Sequence, residues 1–240
     1  MSAKPNLLLL SGLVCDARMW QPQIDHLAGE IGRAVVADLD GADSIAALAA
    51  AALAQAPAGR FALAGLSMGG YVALEIMRQA PERVAALALL DTSARPDTPE
   101  ATENRKKAIA QAQSDSDFDA VIDALVPKLI LPAKINQDPA LVGLIKDMAH
   151  KVGKDAFIRQ QTAIIGRIDS RPHLGAITCP TLVLCGRDDV ITPVEVHEEM
   201  VPAIRGCRHL VIEQCGHLST LDSPAKVAAA LQSWLVDVKP

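Results

Sequence analysis

No stretch of about eighteen consecutive apolar residues occurs in the chain, so it offers no segment for a membrane-spanning helix. Positive charge is not in excess either. Its 23 lysines and arginines face 28 aspartates and glutamates, a formal net charge of −5, whereas a nucleic-acid partner asks for a basic patch. The densest basic cluster, Arg105-Lys106-Lys107, is most simply a solvated helix face. Cysteine is sparse: five, an odd number at irregular spacing in 240 residues. That excludes a disulfide framework in a chain large enough to bury its own core, and it points to reduced thiols in a cytoplasm. Metal-ligand spacing is missing. Cys179 and Cys185 merely flank a strand, and His197-Glu-Glu-Met-Val201 lacks the second histidine of a zincin helix. There is no glycine-rich phosphate loop and no internal repeat, and the alanine-rich stretch 46–54 is simply a strong helix former. The apolar Leu7–Leu10 is too short for a signal peptide, and Ser11-Gly12 ends it as a strand. No cofactor, metal, nucleic acid or membrane insertion is therefore expected. What remains, 50% hydrophobic and 21% charged residues, suffices for a substantial core.

Apolar runs at Leu7–Leu10, Ala34–Leu39, Phe61–Leu66, Val84–Leu90, Thr181–Cys185 and His209–Ile212 read as buried parallel strands, hydrophobic on both faces. Helical patterns at Ser44–Gln55, Met68–Gln79 and Pro224–Val236 fill gaps between them, with Thr192-Pro193 and Ser223-Pro224 as hydroxyl-then-proline starts. Strands alternating with helices predict a doubly wound, mostly parallel α/β sheet of about six strands. From Arg95 to Pro172 strand-like runs vanish. Thr98-Pro99, Ser116, Asp138-Pro139 and Gly153 each precede an amphipathic stretch, predicting roughly four inserted helices. The expected organisation is a core of 1–94 and 173–240 with a helical insertion at 95–172. Apolar residues of the insertion (Val121, Leu125, Leu129, Ile130, Leu141, Leu144, Ile145, Met148) divide between helix packing and a pocket wall. Gln160, Gln161 and Arg167 can meet a polar group, though a solvated face is the simpler reading.

Chemistry concentrates at three places. Gly65-Leu-Ser-Met-Gly-Gly70 follows an apolar strand and opens a helix, the setting of a nucleophile elbow that exposes the Ser67 hydroxyl on a strained turn. Gly65 and Gly69 let strand and helix approach closely. Downstream, Thr181-Leu-Val-Leu-Cys-Gly-Arg-Asp-Asp189 ends a strand in acids, and His209-Leu-Val-Ile-Glu-Gln-Cys-Gly-His217 ends another in a histidine. Serine needs a base within hydrogen-bond reach, and the base needs an orienting acid, so Ser67, Asp189 and His217 form a candidate triad. Asp91, at the end of Val84–Leu90, is the reserve acid, with helix capping or a turn as its plainer use.

These segments, with Leu7-Leu-Leu-Leu-Ser-Gly-Leu13, resemble the α/β-hydrolase superfamily along nearly the whole chain, and within it small capped carboxylesterases and enol-lactone hydrolases. The resemblance implies a cap over the elbow, an acid three residues after Gly186 (Asp189 rather than Asp188), and an oxyanion hole of backbone N–H groups at Leu13 and Met68. Two departures stand out. Ser11-Gly12 replaces the usual His-Gly before the oxyanion donor, and Leu66 stands where a histidine or other bulky residue is common. The implied activity is hydrolysis of small carboxylic esters through an acyl-enzyme. An enol-lactone or other lactone is the alternative substrate, and a non-catalytic ligand-binding protein on the same fold is the alternative of another class.

Overall fold

A computed structural model describes residues 4–114 and 118–236. Six strands form one sheet: β1 (Leu7–Leu10), β2 (Ala34–Ala37), β3 (Phe61–Leu66), β4 (Val84–Leu90), β5 (Thr181–Gly186) and β6 (Arg208–Ile212). Their spatial order is β2-β1-β3-β4-β5-β6, and every pairing is parallel. Parallel neighbours cannot be joined by tight turns, so helices carry the crossovers. On one face α1 (Gln21–Leu27) and α11 (Pro224–Leu235) bring Leu27, Leu231 and Trp234 against Leu7, Leu9 and Ala64. On the other, α2 (Ile45–Gln55) and α3 (Met68–Gln79) bring Leu48, Val72 and Ile76 against Leu8, Leu10 and Leu63. The period of two in a strand sends alternate leucines of β1 into two separate cores.

The edges depart from the sequence expectation. β2 pairs only as far as Ala37, short of Leu39, and its first three residues are half-buried. In β6 Arg208 and Leu210 are exposed. Each of these strands has a neighbour on one side only, so its outer edge has no strand against it. The central β1, β3 and β5 are buried at every position.

Between β4 and β5, the described residues form five α-helices rather than the roughly four expected: α4 (Pro99–Gln113), α5 (Phe118–Leu129), α6 (Pro132–Gln137), α7 (Pro139–Val152) and α8 (Lys154–Ile165). The unforeseen one, α6, starts at a proline, which is favourable in a first helical turn. Thr98 and Asp138 cap α4 and α7 through the Ala101 and Leu141 amides. Ser116 lies outside the described residues. Val121, Ile130, Leu141, Ile145 and Met148 join the same apolar cluster as Leu7 and Leu9, so the inserted helices share the core on that face of the sheet. Proline begins α11 after Ser223, but the Ser223 hydroxyl caps nothing; nor does that of Thr192, because α9 (Val194–Glu198) starts beyond Pro193. Among the described residues no helix is long and apolar enough to cross a membrane.

Candidate active site

The strand order reverses direction between β1 and β3, and open α/β sheets present ligand sites in the crevice at such a switch point. Ser67 sits there, on the turn from β3 into α3, with φ 55° and ψ −116°. A non-glycine residue in that region is strained and persists only where its surroundings fix it. The surroundings are close. A Cβ at Gly69 would run into the Leu10 carbonyl, and one at Gly65 into the Gly69 carbonyl, so only glycine lets α3 begin this near β1 and β3. The Ser67 N–H donates to Leu90 O at 3.0 Å, and the Thr92 hydroxyl donates to Ser67 O at 2.8 Å.

From the turn, Ser67 Oγ lies 2.8 Å from His217 Nε2, and His217 Nδ1 lies 2.8 Å from Asp189 Oδ2. His217 and Asp189 are buried, whereas Asp188 is exposed. Asp189 also accepts the Thr192 hydroxyl at 2.7 Å and the amides of Ile191 and Thr192 at 2.8 and 3.0 Å. Burial alone would raise this carboxyl, but the positive imidazole, its hydrogen bond and the Thr192 donors hold it below the ordinary aspartate value. Burial alone would lower His217; the Asp189 charge, its hydrogen bond and the Asp91 charge reverse that and raise it. Hydroxyl, imidazole and carboxylate in this chain can move a proton off Ser67 and stabilise the imidazolium that results. Thr192, read from sequence as a helix start, is in fact a ligand of the acid.

Asp91 is a second buried carboxylate, at φ 45°. It accepts the Gly186 amide at 3.0 Å and, on the other oxygen, the Ser219 hydroxyl at 2.5 Å and the Ser219 amide at 3.3 Å. It therefore ties β4 to the end of β5 and to the start of α10 (Ser219–Asp222), and no hydrogen bond joins it to His217. Burial and then repulsion from Asp189 push it well above the carboxylate range.

His197 is a structural neighbour of the site, bonded to Thr92 beside the Ser67 turn, whose part its lack of metal spacing concealed. It is fully buried on α9; its Nε2 accepts the Thr92 amide at 2.9 Å and its Nδ1–H donates to Pro193 O at 3.2 Å. Accepting at Nε2 requires the neutral ring, and burial pushes its pKa down to about 4. In the unfolded chain a histidine titrates near pH 6.5. Protons therefore bind the unfolded state first. The stabilising contribution is complete above about pH 6.5 and lost as pH falls toward about 4, by on the order of 3 kcal/mol. His197→Gln, which keeps an acceptor for Thr92, is expected to flatten that part of the profile. Urea unfolding of both proteins at about pH 7 and about pH 4.5 checks it, since the difference between them isolates this residue from the opposing trends of Asp91 and His217.

Leu13 lies on the loop after β1, at the cavity that holds Ser67, and Met68, next to Ser67 in the chain, opens α3. Among the described residues neither amide N–H has a protein acceptor. The loop carrying Leu13 has no histidine to order it. Gln160 of α8 does so instead: its Oε1 accepts the Val14 amide at 3.0 Å, and its Nε2 donates to Asp40 Oδ1 at 2.9 Å and to Leu39 O at 3.3 Å. Val14 is left at φ 53°.

Over Ser67 and His217 lies a cavity of about 90 Å³. Its apolar wall includes Leu125, Leu129, Ile164 and Leu218; its polar wall is Tyr71, Arg105 and Gln161. Of the apolar residues of the insertion singled out from sequence, Leu125 and Leu129 reach the cavity and the others do not. Three polar residues correct the expectation of a solvated face. Gln160 and Gln161 are buried, and Arg167 lies over the Tyr71 ring at 4.4 Å. Arg105 is likewise turned inward, unlike exposed Lys106 and Lys107. Cys15 is buried away from this cavity, its thiol pushed up to about 12 by burial and the Asp16 charge. Among the described residues no group of three His, Cys, Asp or Glu side chains is placed to hold a metal ion.

Known proteins share this framework. The structure of a thermophilic esterase from Thermogutta terrifontis, bound to malate, matches with a TM-score of 0.91 and 32% identity, covering 100% of this chain and 92% of that one. A pimeloyl-[acyl-carrier protein] methyl ester esterase of Nitrosomonas europaea is 25% identical over 242 residues, 95% of each chain. The enol-lactonase of Burkholderia xenovorans LB400 (TM-score 0.87, 23% identity, covering 98% of this chain and 92% of that one) shares the fold. The model of the alpha/beta hydrolase family matches residues 7–230, with the elbow, both strand-end loops and the inserted helices inside that span, and the chain is a member of that family.

Proposed function

We propose that the protein hydrolyses small carboxylic esters through an acyl-enzyme, with Ser67 as nucleophile, His217 as general base and acid, and Asp189 as the group that orients and stabilises the imidazolium. The observation that carries this is the unbroken relay from Ser67 Oγ to His217 Nε2 and from His217 Nδ1 to Asp189, at 2.8 Å each, opening on a cavity. Ser67 Oγ bonds to the carbonyl carbon while its proton passes to His217. The tetrahedral oxyanion is held by the Leu13 and Met68 amides, and collapse expels the alcohol, which takes the proton from His217. Water, deprotonated by the same imidazole, then attacks the acyl-serine, and the carboxylic acid leaves with Ser67 restored. No cofactor enters these steps.

Likeness to an esterase at 32% identity supports ester over other acyl substrates. The cavity of about 90 Å³ is small beside the usual ligand pockets of about 300–1,000 Å³, which favours short acyl or alcohol groups. Residues 95–172 act as the cap, since Arg105, Leu125, Leu129, Gln161 and Ile164 all come from that segment and exclude water above Ser67. A lactone would pass through the same steps with its alcohol still tethered. Five unpaired cysteines fit a reducing cytoplasm. Kinetics on p-nitrophenyl esters of increasing chain length, beside simple and enol lactones, test the assignment. Fastest turnover is expected on short esters. Preference for lactones would replace the substrate class, and tight ligand binding without turnover would favour a binding protein.

A further inference from the structure

Among the described residues, Arg105 is the one charged side chain besides His217 that lines the cavity over Ser67. Its guanidinium is held from behind: Nε donates to Asp97 Oδ2 at 2.9 Å and Nη1 to Gln161 Oε1 at 2.7 Å. The second oxygen of Asp97 is taken by Arg167 Nη1 at 2.5 Å. One carboxylate, 3% exposed, thus serves two guanidinium groups, and the cluster carries a net charge of +1. The two cations are not equivalent. Arg167 is 9% exposed, stacked on Tyr71 and bonded to Arg95 O and Ile164 O, so its donors are largely spent. Arg105 is 21% exposed and, among the described residues, uses two of the five N–H donors a guanidinium carries. An arginine can only donate, so Gln161 must turn its oxygen toward Arg105, which leaves the Gln161 amide NH2 as a further donor in the same wall. Uncompensated positive charge and preorganised donors facing an apolar wall of Leu125, Leu129, Ile164 and Leu218 match a single anionic oxygen pair.

We propose that Arg105, with Gln161, makes this a site for esters or lactones that carry a carboxylate on the acyl or alcohol portion. The inference rests on the ester-hydrolase assignment and names the substrate class of that same cavity. Asp97 keeps Arg105 extended toward the cavity, and the anion of the substrate completes the charge balance that Asp97 leaves half done. The cost of holding an imperfectly neutralised guanidinium at a partly desolvated wall is recovered when the carboxylate docks.

Two matched pairs test it: monoethyl succinate against ethyl butyrate for the acyl side, and para-acetoxybenzoate against phenyl acetate for the alcohol side. Wild type is expected to favour the anionic member of at least one pair in kcat/KM. In Arg105→Gln the anionic-to-neutral ratio is expected to fall about tenfold or more, and in Arg105→Lys to fall less. Rising salt is expected to lower wild-type kcat/KM for the anionic ester and not for the neutral one, a readout that needs no variant to fold. Neutral esters processed as well as their anionic partners, or a ratio unchanged in Arg105→Gln, would overturn the proposal while leaving the hydrolase intact. Failure to hydrolyse any of the four would strike the hydrolase assignment instead. Calorimetric titration of succinate would then decide the site by itself: salt-sensitive binding abolished in Arg105→Gln supports it, and absence of binding to wild type refutes it.

Discussion

Ser67→Ala is expected to lower kcat for a short-chain ester by about 10⁵–10⁶-fold in a protein that still folds. The size follows from what the substitution removes. Without Oγ no acyl-enzyme can form, and the remaining route is direct attack by water from bulk, assisted only by the Leu13 and Met68 amides and by binding. In enzymes with a serine triad such residual help is worth about 10³–10⁴ over the uncatalysed reaction. Folding is spared because alanine meets the same φ of 55° that serine meets, and the bonds that hold the turn run through the Ser67 backbone to Leu90 and Thr92. The one lost side-chain bond is that to His217 Nε2. Release of p-nitrophenolate by both proteins, with circular dichroism to verify the fold, measures the ratio. A folded Ser67→Ala protein turning over at a rate near wild type would eliminate the serine mechanism.

The parts of this molecule that were legible in sequence are those specified locally. Phe61–Leu66 is a continuous apolar run because β3 is buried on both faces, and its end is marked by glycines that the packing of α3 demands. Ser44, Thr98 and Asp138 announce helices because the hydroxyl or carboxylate that caps them lies three residues from its partner. The misread residues have partners far along the chain. Gln160 looks like a surface glutamine until Asp40 is brought beside it, and His197 is a lone histidine until Thr92 is. Thr192 resembles a helix cap because the sequence shows Pro193 next to it and does not show how Asp189 turns back. A signal did exist for Gln160, and likewise for Gln161 and Arg105. Phe157, Gln160, Gln161 and Ile164 fall at i, i+3, i+4 and i+7, so the two glutamines share the inward face of α8 with its apolar residues. On α4, Arg105 falls in the same stripe as Ala108 and Ala112, whereas Lys106 and Lys107 face water. Polar residues on an inward stripe report a lined cavity better than residue type alone reports a solvated face.

Asp189→Asn and Asp91→Asn are expected to fail in different ways, which separates two carboxylates that sequence order alone left as rivals. Asp189 Oδ2 receives the Nδ1 proton of His217. An asparagine that keeps its oxygen toward the Ile191 and Thr192 amides turns its NH2 toward His217, and the ring must then accept at Nδ1 and carry its proton on Nε2, where it can no longer take one from Ser67. The expected loss in kcat is roughly four orders of magnitude, as for the same change in other triads. The pH profile supplies a second mark. Activity needs neutral His217, so kcat/KM rises as pH climbs through its pKa, and in wild type that limb lies above the ordinary histidine value because Asp189 favours the charged ring. Removing that negative charge moves the residual limb toward lower pH. Asp91→Asn leaves the relay to Ser67 untouched but presents an amide NH2 either to the Gly186 N–H or to the Ser219 N–H, both donors. One buried donor then goes unpaired, at a cost of about 1–3 kcal/mol of stability, with kcat held to within about tenfold of wild type. Urea unfolding and steady-state kinetics on both variants make the comparison. A large kcat loss in Asp91→Asn with a mild one in Asp189→Asn would move the acid of the triad from β5 to β4.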